Sequence, residues 1–411
     1  MPVTERGYGV WLQDFFVGTL RQRGDHVTFA IHDSYADNPH RPVLGQAFEQ
    51  DLTRVHSSAL RLPPWFSNLL PEGVQRGWIA RQRGVSEQRE MELLAEVGHD
   101  LPGAVTVRSL PLDLLPTHHD AAPDPPPVTV EHRDGGAGEK FSLAGVQLKL
   151  SMVAAGDRLT LPLGGQRGDW IVKFPDGNLS HLPVVEHATM ELARRSGIDV
   201  PKIRLLHRDE LPDTPDAVWG AGESYAFAIE RFDRVGARGL VHIEDFAQVR
   251  NFYADQKYSG SYETLATLVH RGEDDASLQE LVRRLTLDVL VNNADAHLKN
   301  SSLRYVDPRR PVLSPVYDVV SVAPYPGYDN LMALSLAGTK DGARWRLQHL
   351  DALGTRRGMP TGALADVASD TATAAVEAWP GVADEHLADH PRVRTAVDAV
   401  VEARAASLRS R

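Results

Sequence analysis

"NNADAHLKN", residues Asn292 to Asn300, is the stretch on which the reading of the chain turns. The ten residues before it, "LVRRLTLDVL", set Leu281, Leu285 and Leu290 at near-helical spacing, which predicts a helix running into a core. Within nine residues the chain then delivers three amides, a carboxylate, an imidazole and an amine. Buried polar groups cost free energy unless each finds a partner. Such density at the end of an apolar helix is either a turn closed by side-chain caps or a site with a task.

The composition narrows the tasks. A chain of 411 residues, 42% hydrophobic and 24% charged, has the make-up of an ordinary globular protein of two or three domains. A net charge of −11 argues against nucleic acid as a major direct partner, because DNA binders need basic surface to neutralise phosphates. With no cysteine, disulfides, thiolate catalysis and cysteine metal sites are excluded. The start, "MPVTERGYGV", lacks the layout of a signal peptide, and no apolar run approaches the roughly 20 residues of a membrane span. A cytoplasmic protein with no membrane partner is expected.

Upstream, "YGVWL", "FFVGTL" and "HVTFAI" predict a small antiparallel sheet within residues 1–35. "WFSNLLPEGVQRGWIARQRG" reads as mostly helical, and residues 89–98 as another helix. The Pro-, Asp- and His-rich segment that follows reads as a linker, residues 111–138, after an amino-terminal unit, 1–110. Residues 139–235 are rich in strand candidates around one clear helix, "LPVVEHATMELARRSGI", with Gly197 as its C-terminal cap. Residues 236–411 are mainly helical. A sheet region followed by a helical region predicts an α+β, two-lobed fold, and ligands favour clefts between lobes.

Five constellations carry chemistry. Asp295 and Asn300 share the five-residue offset of the protein-kinase H-R-D-x-x-x-x-N, where Asp faces the acceptor hydroxyl and Asn a Mg2+. In "LSPVYDVVS", Asp318 lies in an apolar, strand-like segment, where a carboxylate needs a metal or a buried arginine. In "DWIVKFPD", Lys173 ends a strand and could reach nucleotide phosphates, with Glu186 on the next helix to pair with it; a lysine snorkelling from an edge strand is the plainer reading. "FSLAGVQLKLSM" sets Gly145 before Gln147 and Lys149, either a hairpin tip over phosphates or a simple β-turn. "YAFAIERFDR" ends a strand with Glu230, Phe232 and Asp233, either the adenine and ribose side of a nucleotide site or a solvated hinge. The order of these parts along the chain is the order a kinase needs.

These motifs resemble the HipA family of serine/threonine kinase toxins. "SLAGVQLKL" is similar to the family's S-x-A-G-x-Q-x-K loop, and "IVKFP", "IERFDR", "QKY", "NADAHLKN" and "PVYDVVS" to its later motifs. "WFSNLLPEG" resembles the signature of its amino-terminal subdomain. The resemblance implies a protein-kinase-like fold with an extra amino-terminal subdomain and an all-helical C-terminal lobe, and an ATP- and Mg2+-dependent enzyme. It implies Asp295 as the catalytic base, with His297 and Lys299 beside the phosphates, and Asn300 and Asp318 as Mg2+ ligands. Lys173, paired with Glu186, would contact ATP. Ser142, Ala144, Gly145, Gln147 and Lys149 would form the phosphate-covering loop, and Glu230, Phe232, Asp233 and Tyr317 would complete the nucleotide site. Ser142 would be an autophosphorylation site, where about −2 of added charge repels neighbouring phosphates. The implied partners are a HipB-type helix-turn-helix antitoxin, DNA only through that antitoxin, and a protein substrate, of which an aminoacyl-tRNA synthetase is one class.

Two departures keep other readings open. Most protein kinases carry Lys two residues after the catalytic Asp, whereas His297 stands here, as in small-molecule kinases of related fold. "YDVVS" lacks the Phe-Gly of D-F-G, so no activation-loop switch follows. A small-molecule kinase and a non-catalytic subunit of a repressor complex are the alternatives.

Overall fold

The computed structural model describes residues 5–115, 147–156, 158–162, 166–219, 222–236, 239–271, 274–327 and 330–409. Ser142, Ala144, Gly145 and nearly all of the expected linker lie outside the described residues. The chain groups into two compact units. One comprises residues 1–172, 231–256 and 304–311, and the other residues 173–230, 257–303 and 312–411.

In the first unit, β1 (Glu5–Leu12), β2 (Phe15–Arg23), β3 (His26–Ile31), β4 (His56–Ala59) and β5 (Val105–Leu110) form one antiparallel sheet in the order β4-β3-β2-β1-β5. The alternation of β2 and β3 buries Leu20, Val27 and Phe29 on one side, Leu20 standing opposite Phe29. Single-turn helices α1 (Asp33–Ala36) and α2 (Pro64–Ser67) and the longer α3 (Gly73–Arg83) and α4 (Glu90–Val97) accompany the sheet, and α6 (Phe246–Val249) joins them later in the chain. The "WFSNLLPEG" segment has a structural explanation. Trp65 and Phe66 pack with Phe29 and Phe48, the Phe29–Phe66 rings lying 4.6 Å apart edge to face. Buried Glu90 accepts from Leu62 N at 2.8 Å and Ser67 Oγ at 3.1 Å, fixing the turn before α2. The strands β6 (Lys149–Ala155) and β7 (Arg158–Thr160) pair antiparallel, and β8 (Trp170–Lys173) delivers the chain to the second unit.

That second unit is mainly helical: α5 (Leu182–Arg195), α7 (Tyr262–His270), α8 (Asp275–Val291), α9 (Leu347–Thr355), α10 (Ala363–His386) and α11 (Pro391–Arg409). Strands β9 (Ile203–His207) and β10 (Tyr225–Glu230) pair antiparallel beside α5. The expected helical lobe also carries short strands, among them the hairpin Leu331–Leu336 with Thr339–Asp341. Helix α5 stops where Gly197 takes φ +80, as its cap residue predicts. Helix α8 is the keystone. It packs on α7, α10 and α11 and buries Leu281, Leu285, Leu287 and Leu290, so its sides are covered rather than one face alone. Arg404 of α11 donates to the Val289 carbonyl at 2.7 Å, adding to the 3.3 Å bond that this last-turn acceptor takes from the Asn292 N–H.

Candidate active site

All the geometry around Asp295 and Asp318 belongs to the second unit. Lys173, 4% exposed at the end of β8, donates through Nζ to Glu186 of α5 and to Asp318. Burial penalises its charge, but Asp318 and Glu186 outweigh that and hold its pKa above the usual lysine value. The Phe227 ring of β10 lies 5.6 Å from the ammonium. Lys173 is therefore not a snorkelling edge residue but a buried cation between two carboxylates.

The segment around Asp318, read as strand-like, contains no strand from residue 314 to 322. Asp318 takes φ +58, a left-handed conformation that an extended strand cannot hold and that costs a non-glycine residue about 1 kcal/mol. Side chains from three directions grip this turn. Asn293 Nδ2 donates to the Asp318 carbonyl at 3.4 Å, and Thr189 Oγ1 of α5 to the Val319 carbonyl. Tyr317 donates to the Lys299 carbonyl at 2.9 Å, its hydroxyl 2.6 Å from Ser302 Oγ.

The opening stretch begins as a helix cap. Asn292 takes φ +56 and closes α8 in the left-handed conformation that asparagine tolerates. Its amide donates to Asn330 Oδ1 at 2.7 Å. Asn293 turns back, its N–H donating to the Asp288 carbonyl and its Nδ2 to Asp288 Oδ1, both at 2.8 Å. Burial pushes the Asp288 carboxyl up to about 7, against the pull of Asn293 and Arg284. Asp295 is half exposed; Tyr258 donates to its Oδ1 at 2.7 Å, and His297 Nε2 stands 3.9 Å from Oδ2. Asn300 Nδ2 donates to the Asp295 carbonyl at 2.9 Å. His297 and Lys299 are both buried. Asp288, Asn293, His297, Asn300, Tyr317 and Asp318 line one cavity of about 20 Å3, room for roughly one water.

Among the described residues no cluster of three or more His, Cys, Asp or Glu forms a metal cage made of protein alone. Mg2+ at phosphoryl-transfer sites uses one or two carboxylates, substrate phosphates and water. One carboxylate that already accepts a cation, Asp318, and one amide on the same cavity, Asn300, fit that ion.

The remaining residues singled out from the sequence are placed as follows. Glu230 is partly exposed, with Lys202 Nζ 3.3 Å away. Gln147, Lys149, Phe232 and Asp233 belong to the first unit. Lys149 is buried at the start of β6, and its carbonyl accepts from Gln75 Nε2 at 3.0 Å. Asp233 is buried as well: Arg231 reaches it at 2.7 Å, Arg234 at 2.9 Å and the Gly103 N–H at 2.8 Å. Burial opposes its charge, yet the two arginines hold its carboxyl far below the ordinary range. Arg231 and Arg234 also bind Asp100, at 3.4 and 2.7 Å. Its oxygens are thus committed to a four-residue ion network.

Sequence reasoning passed over Tyr258, Asp288 and Thr189. Two of them left a trace: Tyr258 lies in "QKY", and Asp288 is a carboxylate inside the apolar run "LTLDVLV".

Known proteins match most of the chain. The HipA N-terminal domain matches residues 8–108 and the HipA-like C-terminal domain residues 141–379. Y4dM of Sinorhizobium fredii is 39% identical over 364 residues, 86% of this chain and 87% of that protein. The serine/threonine-protein kinase toxin HipA of Shewanella oneidensis is 26% identical over 357 residues, 79% of this chain and 77% of its own. A chain in the solved complex of HipA, HipB and operator DNA from Shewanella oneidensis superposes with a TM-score of 0.72 at 22% identity, covering 98% of this chain and 99% of that one. That likeness is one of fold: α+β, in the two-lobed, protein-kinase-like class.

Proposed function

The chain belongs to the HipA family, and from that premise we propose that it is an ATP- and Mg2+-dependent serine/threonine protein kinase, the toxin of a toxin–antitoxin module. The observation that carries this reading is the buried Lys173 ammonium between Glu186 and Asp318. A lysine fixed by a helix glutamate is what a nucleotide phosphate needs to meet, and rigid placement with charge stabilisation is most of what phosphoryl transfer asks of a protein. Asp318 and Asn300 would hold Mg2+, which would neutralise charge on the phosphates of ATP, the phosphoryl donor. Lys173 orients the α- and β-phosphates, with Glu186 as its anchor. Asp295, half exposed, receives the acceptor's hydroxyl proton while Tyr258 holds its other oxygen. His297 and Lys299 stand beside the phosphates. Ser142 is the autophosphorylated residue. Glu230 serves the ribose side.

The partner proposed is a HipB-type antitoxin, with DNA reached through it, because the structural neighbour is a chain of a HipA–HipB–DNA complex. The substrate is a protein, with aminoacyl-tRNA synthetases as the first class to test. His297 also suits a small-molecule kinase, so the decisive assay offers both kinds of acceptor. Wild type and Asp295→Ala are each incubated with labelled ATP and lysate. Labelled protein with wild type, falling about 10²–10⁴-fold in Asp295→Ala, is expected. Equal labelling by both proteins, or label in metabolites alone, overturns the reading.

A further inference from the structure

We propose that Asp288 is a positioning residue for the metal-binding aspartate: its carboxylate holds the Asn293 amide, and that amide holds the Asp318 turn in the conformation that presents the Asp318 carboxylate. The inference rests on the kinase reading above.

The geometry is a relay in one unit. Asp288 is buried in the last turns of α8, and the only side chain that hydrogen-bonds its carboxylate among the described residues is Asn293, at 2.8 Å. Asn293 is 2% exposed and is also tied to Asp288 through its own N–H. An amide nitrogen carries two hydrogens. One goes to Asp288 Oδ1, and the other reaches the Asp318 carbonyl at 3.4 Å. An acceptor at position 288 decides which end of the Asn293 amide faces Asp318. With a leucine there, the amide would lose its 2.8 Å anchor, and only the 3.4 Å bond to the Asp318 carbonyl would orient it.

The chemistry asks for such a device. Asp318 sits at φ +58, a conformation that persists only when its surroundings over-determine it. Thr189 secures the residue after it and Tyr317 the residue before it. Asn293 grips the Asp318 carbonyl itself. A buried carboxylate is a costly way to hold one amide, and an apolar residue would pack this helix face without that cost. Position 288 therefore serves the turn rather than the core.

The test uses the full chain, saturated with a non-hydrolysable ATP analogue, and titrates Mg2+ calorimetrically beside thermal denaturation. Asp288→Leu is expected to weaken Mg2+ binding about tenfold, and Asp288→Asn, which keeps an acceptor oxygen, to stay within about twofold of wild type. Leu278→Ala, a cavity on the same helix away from the lining of this site, controls for lost stability and is expected to leave Mg2+ affinity unchanged. Should Asp288→Leu fail to fold, Asn293→Ala carries the same expected tenfold loss. Wild-type affinity in Asp288→Leu or Asn293→Ala overturns the proposal, as does an equal loss in Leu278→Ala. A wild-type protein that binds neither the analogue nor Mg2+ sinks the kinase reading itself, a result separable from the others.

Discussion

Tyr258 places its hydroxyl on Asp295 while its ring lies edge-on to His297, centroids 5.2 Å apart. The phenol is well exposed, so its loss removes a charge-assisted hydrogen bond without opening a core. Tyr258→Phe is expected to lower kcat about tenfold with an unchanged melting temperature; unaltered turnover would remove Tyr258 from the site. Lys173→Met tests the opposite situation. It strands Glu186, 1% exposed, without its ammonium, and is expected to cost about 3–5 kcal/mol in denaturant unfolding as well as nucleotide binding. Adding Glu186→Gln should recover much of that stability and none of the binding. Recovery of binding in the double variant would show that Lys173 acts only through the fold. At this scale the sequence was legible in residue types and blind to pairings. Lys173, Glu186 and Asp318 could be named from their motifs, but Asp318 lies 145 positions from Lys173, and no local pattern says that they meet. Asn292 and Asn293 had no legible role, because a left-handed cap and a backward-reaching amide are properties of a turn's dihedrals, not of its composition.

Elements with a strong period were legible to within a few residues, α5 and α8 above all, because an apolar face or core writes itself at helical spacing. Strand β5 was not, since "VTVRSL" gains its identity from pairing with β1, about a hundred positions earlier. The same non-local logic governs the ion network of the first unit. Asp100, after α4, and Asp233, after β10, share Arg231 and Arg234, all but buried. Asp233→Leu would leave two guanidiniums short of a counter-charge, and we expect about 3–5 kcal/mol of lost stability, read as a fall in the urea midpoint. ATP affinity of the folded fraction should be unchanged. A large affinity loss at unchanged stability would instead support the ribose role that the motif of Asp233 implies.

In each unit burial lifts one carboxyl to about 7 and lowers one imidazole to about 4, and it also lowers His56 in the first unit and His386 and His390 in the second. In the first unit burial pushes Glu244 up to about 7, although Tyr305, Gln46 and Trp65 all donate to it, and pushes His242 down to about 4. In the second, Asp288 rises to about 7 and His187 falls to about 4. A carboxyl raised on folding binds more protons in the folded state, so its contribution is complete below its ordinary value and is lost as pH climbs toward 7. An imidazole lowered on folding does the reverse, its contribution growing as pH rises from about 4 to its ordinary 6.5. Each proton of difference is worth about 1.4 kcal/mol per pH unit, so the paired slopes oppose each other between roughly pH 4.5 and 6.5. Wild-type stability should rise gently as pH nears 6.5, where His56, His386 and His390 add to the imidazole side, and drop only as pH passes from 6.5 to 7.5, where growing negative charge adds self-repulsion. Glu244→Gln leaves His242 unopposed in its unit, and stability should then rise with pH across the same window. His242→Gln leaves Glu244 unopposed, and stability should fall. Urea unfolding of the three proteins at half-unit steps from pH 4.5 to 7.5 reads the slopes directly. Parallel curves for all three would mean that the two groups titrate alike in the folded and unfolded chain, and that burial does not neutralise them. Opposite slopes would tie both to the buried interior of the first unit, where one strand, His242–Asp245, carries the two groups that cancel.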